Sequence, residues 1–453
     1  MRKFGLRDKL GYMFGDFGNN FFFLLVSFFL MVFYTDVIGA SPASVGVLFL
    51  LAKVLDAFID LAWGRFIDTR KTTKQGKFRP WIIRMSLPLV FVGVLIFTKP
   101  PFLSGNALVI FSFSMYIIWG ALYSTVNIPY GSLASVITND SEERAGLSTF
   151  RGIGFNLASL FVGTVIPIYA FVNNKADGNR FFIIALIAGI LSMICYVLCY
   201  KLTTERVIID EVKSEDFKND SNLIHTFKGL MKNKPLIMLI VISFIVIFSS
   251  LLTGTINAYL YKDYFNDAKA LGTFTVVSTL ATLAIASITT KSATKYGKKE
   301  ISSVALIVSS IIYFILFLIP IRNVYLFIFL STLGYLGFGF FNYLNWAFVT
   351  DVIDYHEYIT GKREDGTVYA IYSFVRKIGQ AVAGLGGGIA LQIVGYEQGV
   401  GVQREEVADK IRQLAMITPA ISYGAIALVL IFLYPLGKKR VEELSVEMKK
   451  RRS

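Results

Sequence analysis

The sequence predicts an all-α, polytopic membrane protein made of two six-helix halves. The 453 residues are 55% hydrophobic and 17% charged, whereas soluble chains are about 45–50% apolar and about 25% charged. Apolar runs of about 20 residues, the length that crosses a bilayer, recur from one end to the other. A polar segment, 202–234, divides these runs evenly. Two bundles of helices joined by a polar linker follow from this pattern.

The apolar runs give twelve predicted spans. They cover residues 11–38, 43–69, 80–99, 106–136, 145–172, 181–201, 235–262, 270–292, 300–321, 324–351, 367–394 and 415–436. The predicted domains are an N-terminal half (1–201), a cytoplasmic linker (202–234), a C-terminal half (235–436) and a basic cytoplasmic tail (437–453). No cleavable signal peptide is expected, because the first apolar run has no small-residue cleavage site.

Lysine and arginine determine the predicted orientation. They concentrate in the N-terminal segment, the loops after spans 2 and 8, the linker and the tail, which places both termini in the cytoplasm. The net charge of +14 is therefore expected to come from cytoplasmic loops, and nucleic acid is not an expected partner. We expect a multi-pass protein of the bacterial inner (cytoplasmic) membrane, surrounded by lipid and functional as a monomer.

Two carboxylates interrupt the apolar run of span 2. Asp56 and Asp60 are one helical turn apart and share a face, with Asp56 roughly 20 Å into its span. Intramembrane acids indicate function: such a pair can bind a small cation through oxygen or share a proton. The structural alternative is a charge pair between helices, in which Lys53, one turn earlier, is the partner. We expect a coupling-cation site, H⁺ or Na⁺, with no other metal and no cofactor.

Three basic residues lie within predicted spans. Lys377 is roughly 16 Å into span 11 and needs a partner, for which Asp56 and Asp60 are candidates. Its neighbour Arg376 points about 100° away around the helix and can also snorkel. Arg151, in span 5, can meet Asp56 or a substrate oxygen, or it can anchor the cytoplasmic end of its helix.

Amides and aromatic rings supply further candidate ligands for a sugar. Amides offer both donors and acceptors to sugar hydroxyls, and rings can stack on a sugar, although membrane aromatics are more often packing residues. The candidates of this kind, with one hydroxyl of span 11, are Asn19, Asn20, Tyr116, Asn127, Trp346 and Ser373.

Charged residues at the cytoplasmic ends of spans suggest ion-pair gates. They occur in the loop after span 2 and around "TDVIDYHEY" at the end of span 10. The gating candidates are Asp68, Lys77, Arg79, Asp351, Asp354, Glu357 and Arg363. The sequence contains no P-loop, HExxH, GxSxG or CxxC motif, so an enzyme is not expected.

Several motifs resemble a known transporter family. The stretches "FYTDVIG", "LDAFID", "GKFRPW", "NIPYGSLA", "DVIDYHEY", "GKREDGTVYA" and "RKIGQ" occur in order across both halves. They resemble the glycoside–pentoside–hexuronide:cation symporters of the major facilitator superfamily. The resemblance implies the fold of that superfamily, with a site between the halves near the midplane.

The resemblance also implies residue roles. In the melibiose carriers of this family the matching acid pair, here Asp56 and Asp60, takes part in cation binding. Ser124 and Asn127 match positions beside that cation, and Lys377 matches a lysine of the same region. Arg151 matches an arginine implicated in sugar binding.

Amides distinguish this chain from the melibiose carriers. Asn20 and Asn127 stand where those carriers have acids that bind galactoside hydroxyls, and Gly131 stands where they have a stacking tryptophan. The chain is more similar to bacterial glucuronide carriers. We therefore expect cation-coupled symport of a glycoside, a glucuronide or related hexuronide, with neutral β-glycosides, pentosides or galactosides as the alternative. A lipid-handling carrier of the same fold is a further alternative.

Overall fold

The computed structural model describes residues 2–70, 72–73, 75–207, 233–360 and 365–452, and these are almost entirely helical. The helices are α1 (Leu6–Val32), α2 (Pro42–Asp68), α3 (Arg79–Ile96), α4 (Gly105–Ile137), α5 (Ser141–Tyr169), α6 (Gly178–Leu202), α7 (Lys234–Tyr259), α8 (Ala270–Tyr296), α9 (Lys298–Leu318), α10 (Val324–Thr360), α11 (Asp365–Ile393), α12 (Glu405–Leu428) and α13 (Lys438–Arg452). Single π-helical segments, Phe33–Ile38, Leu260–Tyr264 and Val429–Leu433, extend α1, α7 and α12. Most of the predicted linker lies outside the described residues.

Helices α1 to α12 lie where the twelve spans were predicted. Within the described part of the chain, nine helices are long and apolar enough to cross a membrane. The remaining three, α2, α8 and α11, occupy predicted spans 2, 8 and 11. The multi-pass helical architecture is confirmed, and the count of twelve spans stays a prediction.

Local sequence signals explain several helix boundaries. The Ser41 hydroxyl accepts a hydrogen bond from the Ser44 amide, and Pro42 occupies the first turn of α2; both are favoured at helix starts. Asp140 and Asp177 cap α5 and α6 in the same way. The segment after α1 ends at Gly39, whose φ of 82° suits glycine.

Several boundaries differ from the prediction, among them the end of α10, which runs to Thr360 instead of residue 351. The last long helix, α12, begins at Glu405, ten residues before predicted span 12, because its first turns are amphipathic rather than uniformly apolar. A short antiparallel hairpin, β1 (Phe171–Val172) with β2 (Lys175–Ala176), follows α5; β1 occupies the last two residues of predicted span 5, and β2 lies in the predicted loop.

The chain forms two compact units. In unit 1, α1 packs on α5 and α6, α3 packs on α4 and α6, and α2 packs on α4. In unit 2, α7 packs on α12, and α9 packs on α10 and α12. Three of these pairings recur six helices later, namely first with sixth, third with fourth and third with sixth. The two sets of six helices therefore share one internal packing plan.

Unit 1 also contains two segments from the second half of the sequence. Unit 1 consists of Met1–Asp216, Tyr261–Gly272 and Gly387–Gln403, and unit 2 of Phe217–Leu260, Thr273–Gly386 and Arg404–Ser453. The ends of α7 and α11 thus pack with the first six helices. The close approach of Gly388 to the start of α2 shows this, because a Cβ there would lie 2.2 Å from the Pro42 carbonyl oxygen.

Candidate functional site

The acid pair of α2 has a basic residue beside it. The Lys53 ammonium lies 3.0 Å from Asp56 Oδ2, and the two side chains are 20% and 13% exposed. Asp60 lies one turn further along the helix and is half-buried. The structural alternative in the prediction was a charge pair between helices, whereas the pair of Lys53 with Asp56 lies within α2.

Helix α4 forms the other side of the acid pair. A Cβ on Gly120 would lie 2.5 Å from Asp56 Oδ1, so only glycine lets the carboxylate lie this close to α4. Tyr116 and Trp119, on the same helix, are 5% and 2% exposed. The Tyr116 ring lies 5.1 Å from Phe49 and 6.2 Å from Trp119. Tyr116, predicted to stack on a sugar, is thus packed between other rings.

A second site joins α1 and α5. The Arg151 Nε lies 3.0 Å from Asp16 Oδ1, and the side chains are 41% and 6% exposed respectively. Asn20 Nδ2 donates to the other carboxylate oxygen of Asp16 at 2.8 Å and to the Asp16 carbonyl at 2.8 Å. Asp16 was not predicted as a site residue, although a charged side chain within the apolar span 1 was an available signal.

Close helix packing fixes the position of Arg151. A Cβ on Gly154 would lie 2.6 Å from the Met13 carbonyl oxygen and 3.3 Å from Asp16 Cβ, so this glycine brings α5 against α1. Arg151 lies one turn before Gly154, and its guanidinium carbon is 5.5 Å from the Tyr130 ring centroid. The arginine is therefore oriented by a carboxylate on one side and a ring on another.

The remaining predicted ligands of this half differ in accessibility. Asn19 is 2% exposed; its Oδ1 accepts from the Tyr196 hydroxyl at 2.7 Å, and its Nδ2 is buried without a hydrogen-bond partner. Ser124 is buried at 4% exposure, whereas Asn127 is half-buried. Among the predicted amides, Asn20 lies behind Arg151 and Asn127 is the more accessible.

The predicted ligands of the second half belong to unit 2. On α11, Arg376 is half-buried and Lys377 is exposed, so the predicted pairing of Lys377 with the acids of α2 stays a prediction. Arg363 lies outside the described residues, and so do the side chains of Asp68, Trp346 and Ser373.

The loop after α2 binds an acid from the end of α6. The Glu205 carboxylate accepts from the backbone amides of Lys77 at 2.6 Å and of Arg79 at 2.8 Å. The Arg79 Nε donates to the Tyr200 carbonyl at 3.1 Å. These two predicted gating residues thus connect the loop to α6 mainly through backbone groups, an arrangement that side-chain charge alone does not reveal.

The gating candidates of α10 include one clear ion pair. Asp351 Oδ2 lies 2.5 Å from the ammonium of Lys298, the first residue of α9. The sequence suggested Lys362 and Arg363 as partners, and both lie outside the described residues. Asp354 and Glu357 are half-buried on the same helix. The pair joins two neighbouring helices within unit 2.

A buried charge cluster, which the sequence analysis did not single out, lies elsewhere in unit 1. The Lys262 ammonium is 2.6 Å from Asp36 Oδ2, 3.0 Å from Asp263 Oδ1 and 3.0 Å from the Tyr396 hydroxyl. The Tyr396 hydroxyl donates to Asp36 Oδ1 at 2.5 Å. The Lys262 and Asp263 side chains are each 2% exposed. We call Asp36, Lys262, Asp263 and Tyr396 the lysine cluster; it joins the ends of α1, α7 and α11.

The residues that the structure describes contain no group of three or more His, Cys, Asp or Glu side chains that could bind a metal ion. The chemistry that the described sites offer is therefore charge pairing and hydrogen bonding in a buried setting. Such groups bind and release ligands.

Comparisons with known proteins identify the family. The family described as MFS/sugar transport protein matches residues 11–438. An uncharacterised symporter of Bacillus subtilis is 33% identical over 438 residues, covering 96% of this chain and 93% of that protein. A glucuronide carrier protein homolog of Escherichia coli is 31% identical over 453 residues, covering 98% and 96%.

A solved structure supports the fold. The crystal structure of a D-xylose–proton symporter aligns with a TM-score of 0.65 at 14% sequence identity, over 95% of this chain and 98% of that one. The fold prediction and the family resemblance are confirmed, and the relatives are transporters rather than enzymes. The chain belongs to the MFS/sugar transport protein family of multi-pass membrane transporters.

Proposed function

We propose that this protein is a cation-coupled symporter of an anionic glycoside, a glucuronide or related hexuronide, that works by alternating access in the bacterial inner membrane with both termini in the cytoplasm. The observation that carries the substrate class is Arg151, a partly exposed cation on α5. Guanidinium groups bind carboxylates through paired, charge-assisted hydrogen bonds. The amides Asn20 and Asn127 support the proposal, since they add no negative charge near an anionic sugar.

The relative that is 31% identical also supports this substrate class, because it is named a glucuronide carrier protein homolog. A neutral glycoside is the second candidate, and one observation favours it: the Asp16 carboxylate neutralises Arg151 at 3.0 Å. A neutral pair offers hydrogen bonds to hydroxyls without attracting an anion. The two candidates therefore differ in whether substrate charge matters.

Thermal unfolding of the purified protein tests the substrate class. We expect methyl β-D-glucuronide to raise the Tm and methyl β-D-glucoside to raise it less, because at equal concentration the ligand with the lower Kd stabilises the folded state more. Each sugar is measured with and without Na⁺ and at two pH values. A larger shift with the glucoside would favour the neutral substrate, and no shift with any glycoside would refute sugar transport.

The acids of α2 are the proposed cation site. Asp56, paired with Lys53 at 3.0 Å, and Asp60 place two carboxylates on one face of α2. Carboxylate oxygens are suitable ligands for a small hard cation, and two neighbouring carboxylates can instead share a proton. Binding of the cation and of the sugar must then raise each other's affinity equally.

Substituting alanine for Gly120 tests the packing of this site. The added methyl would lie 2.5 Å from Asp56 Oδ1, so we expect the carboxylate to shift and cation-driven uptake to fall at least about tenfold, equivalent to about 1.4 kcal/mol. Gly131→Ala on the same helix is the matched control, since its Cβ would have nothing within 4 Å. Equal uptake in the two variants would show that Asp56 is not part of the proposed cation site.

Alternating access also requires a closure that opens and shuts. By the predicted orientation, the lysine cluster lies at the extracellular end of α1, α7 and α11. It joins residues that are 226 and 360 positions apart in sequence. We assign it as the extracellular closure, which breaks when the protein admits substrate from outside.

A further inference from the structure

We infer that Asp16 is a specificity-determining positioning residue, which acts on the sugar through Arg151. The inference rests on the proposed function, because it specifies how the arginine of that site treats the charge of its ligand. The observation behind it is a chain of contacts from Asn20 to Asp16 to Arg151 within α1 and α5.

Asp16 contacts Arg151 through the Nε of the guanidinium, which donates a hydrogen bond to Asp16 Oδ1 at 3.0 Å. The carboxylate is 6% exposed, whereas the arginine side chain is 41% exposed. Asp16 is thus the buried member of the pair, and the exposed part of the Arg151 side chain is accessible to a ligand.

Neighbouring groups hold the Asp16 carboxylate in one orientation. Asn20 donates to Asp16 Oδ2 at 2.8 Å and is anchored by a second bond to the Asp16 carbonyl. Gly154 brings the α5 backbone close to Asp16 Cβ, at 3.3 Å for an added Cβ. Both carboxylate oxygens therefore have a fixed donor, and the side chain has little freedom to turn away.

The charge of Asp16 affects which sugars bind next to Arg151. An ionised Asp16 cancels the positive charge of Arg151, so an arriving anionic sugar meets a pair with no net charge. The carboxylates of Asp16 and of the sugar also repel each other, and this repulsion is strong where the dielectric constant is low. Asp16 therefore reduces the preference for an anionic sugar that Arg151 alone would give. The same pairing keeps the guanidinium oriented for hydroxyl or carboxylate oxygens.

Asp16→Asn tests the electrostatic part. The amide Oδ1 can still accept from Arg151 Nε, while the negative charge is gone. Binding of methyl β-D-glucuronide and methyl β-D-glucoside to purified protein is measured by calorimetry. We expect the ratio of the two affinities, glucuronide over glucoside, to rise at least about tenfold. A ratio within threefold of the native value overturns the inference.

Asp16→Ala tests the positioning part. It removes the same charge and also the acceptor for Arg151 Nε, so glucuronide affinity should lie below that of Asp16→Asn. Equal affinity in both variants would overturn the positioning role.

These outcomes are distinct from failure of the proposed function. If the native protein binds neither sugar, the symporter proposal itself fails. If the native protein binds sugar and the affinity ratio does not respond to charge at position 16, only the role of Asp16 fails. Asp16→Ala gives a second measurement of the charge effect where Asp16→Asn does not fold, because it removes the same charge and adds no polar group to the buried position.

Discussion

Asp60→Asn is expected to abolish cation-driven accumulation of the sugar while leaving sugar exchange across the membrane. The asparagine is close in size to aspartate, but it removes one of the two carboxylates of the proposed cation site. Without that carboxylate the site loses an oxygen ligand for Na⁺ and an acceptor for a proton, so sugar movement is no longer tied to cation movement. The variant should therefore equilibrate its substrate without concentrating it.

The size of this effect follows from the driving force. One cation moving with one anionic sugar transfers no net charge, so the driving force is the cation gradient, and a tenfold gradient supplies about 1.4 kcal/mol, or about tenfold accumulation. In proteoliposomes with an imposed tenfold gradient of H⁺ or Na⁺ we expect accumulation to fall from about that level to about onefold. Asp140→Asn is a matched control, because Asp140 lies at the start of α5 and caps it, a role that asparagine performs equally well. Normal accumulation by Asp60→Asn would refute the cation site.

Lys262→Met is expected to open the proposed extracellular closure. Methionine removes the ammonium that lies between Asp36 and Asp263 and leaves both carboxylates buried without their cation. Loss of one partner from a buried ion pair costs about 3–5 kcal/mol. The closed state, which depends on this lysine, should lose stability relative to states in which the carboxylates reach water.

Cysteine labelling measures this change. Ala40 is 4% exposed and follows the segment that contains Asp36, while the native Cys195 and Cys199 are 5% and 0% exposed. In right-side-out vesicles, an impermeant maleimide should label Ala40→Cys at least about tenfold faster when Lys262→Met is present. Lys269→Met, an exposed lysine near the same helix end, should leave the rate unchanged. Unchanged labelling with Lys262→Met would refute the closure.

The helices were predictable because their signal is local. Runs of apolar residues and caps such as Ser41 and Asp140 lie within a few positions of the helices that they define. The start of α12 was not predictable in this way. Its first turns contain Glu405 and Glu406, so a search for uniformly apolar runs begins the helix too late.

The acids of the candidate site were predictable from the sequence, but the residues that contact them were less so. Asp56 and Asp60 are identifiable from sequence, because charge within an apolar run is costly and needs a purpose. Asp16 has the same signal, but its partner Arg151 is 135 residues away. Gly120 carries no signal at all, since its importance depends on a carboxylate from another helix.

The sequence by itself determined the class of the protein: a multi-pass helical transporter with an acid pair in span 2 and a basic residue in span 5. Composition, apolar runs and family motifs depend on residues that are close in sequence, so they can be identified without knowing the fold. Only the tertiary structure decided which distant charges meet: Asp16 with Arg151, and Lys262 with Asp36. Ion pairs are set by distances of a few ångströms in space, and helix packing brings together residues that the chain order keeps far apart.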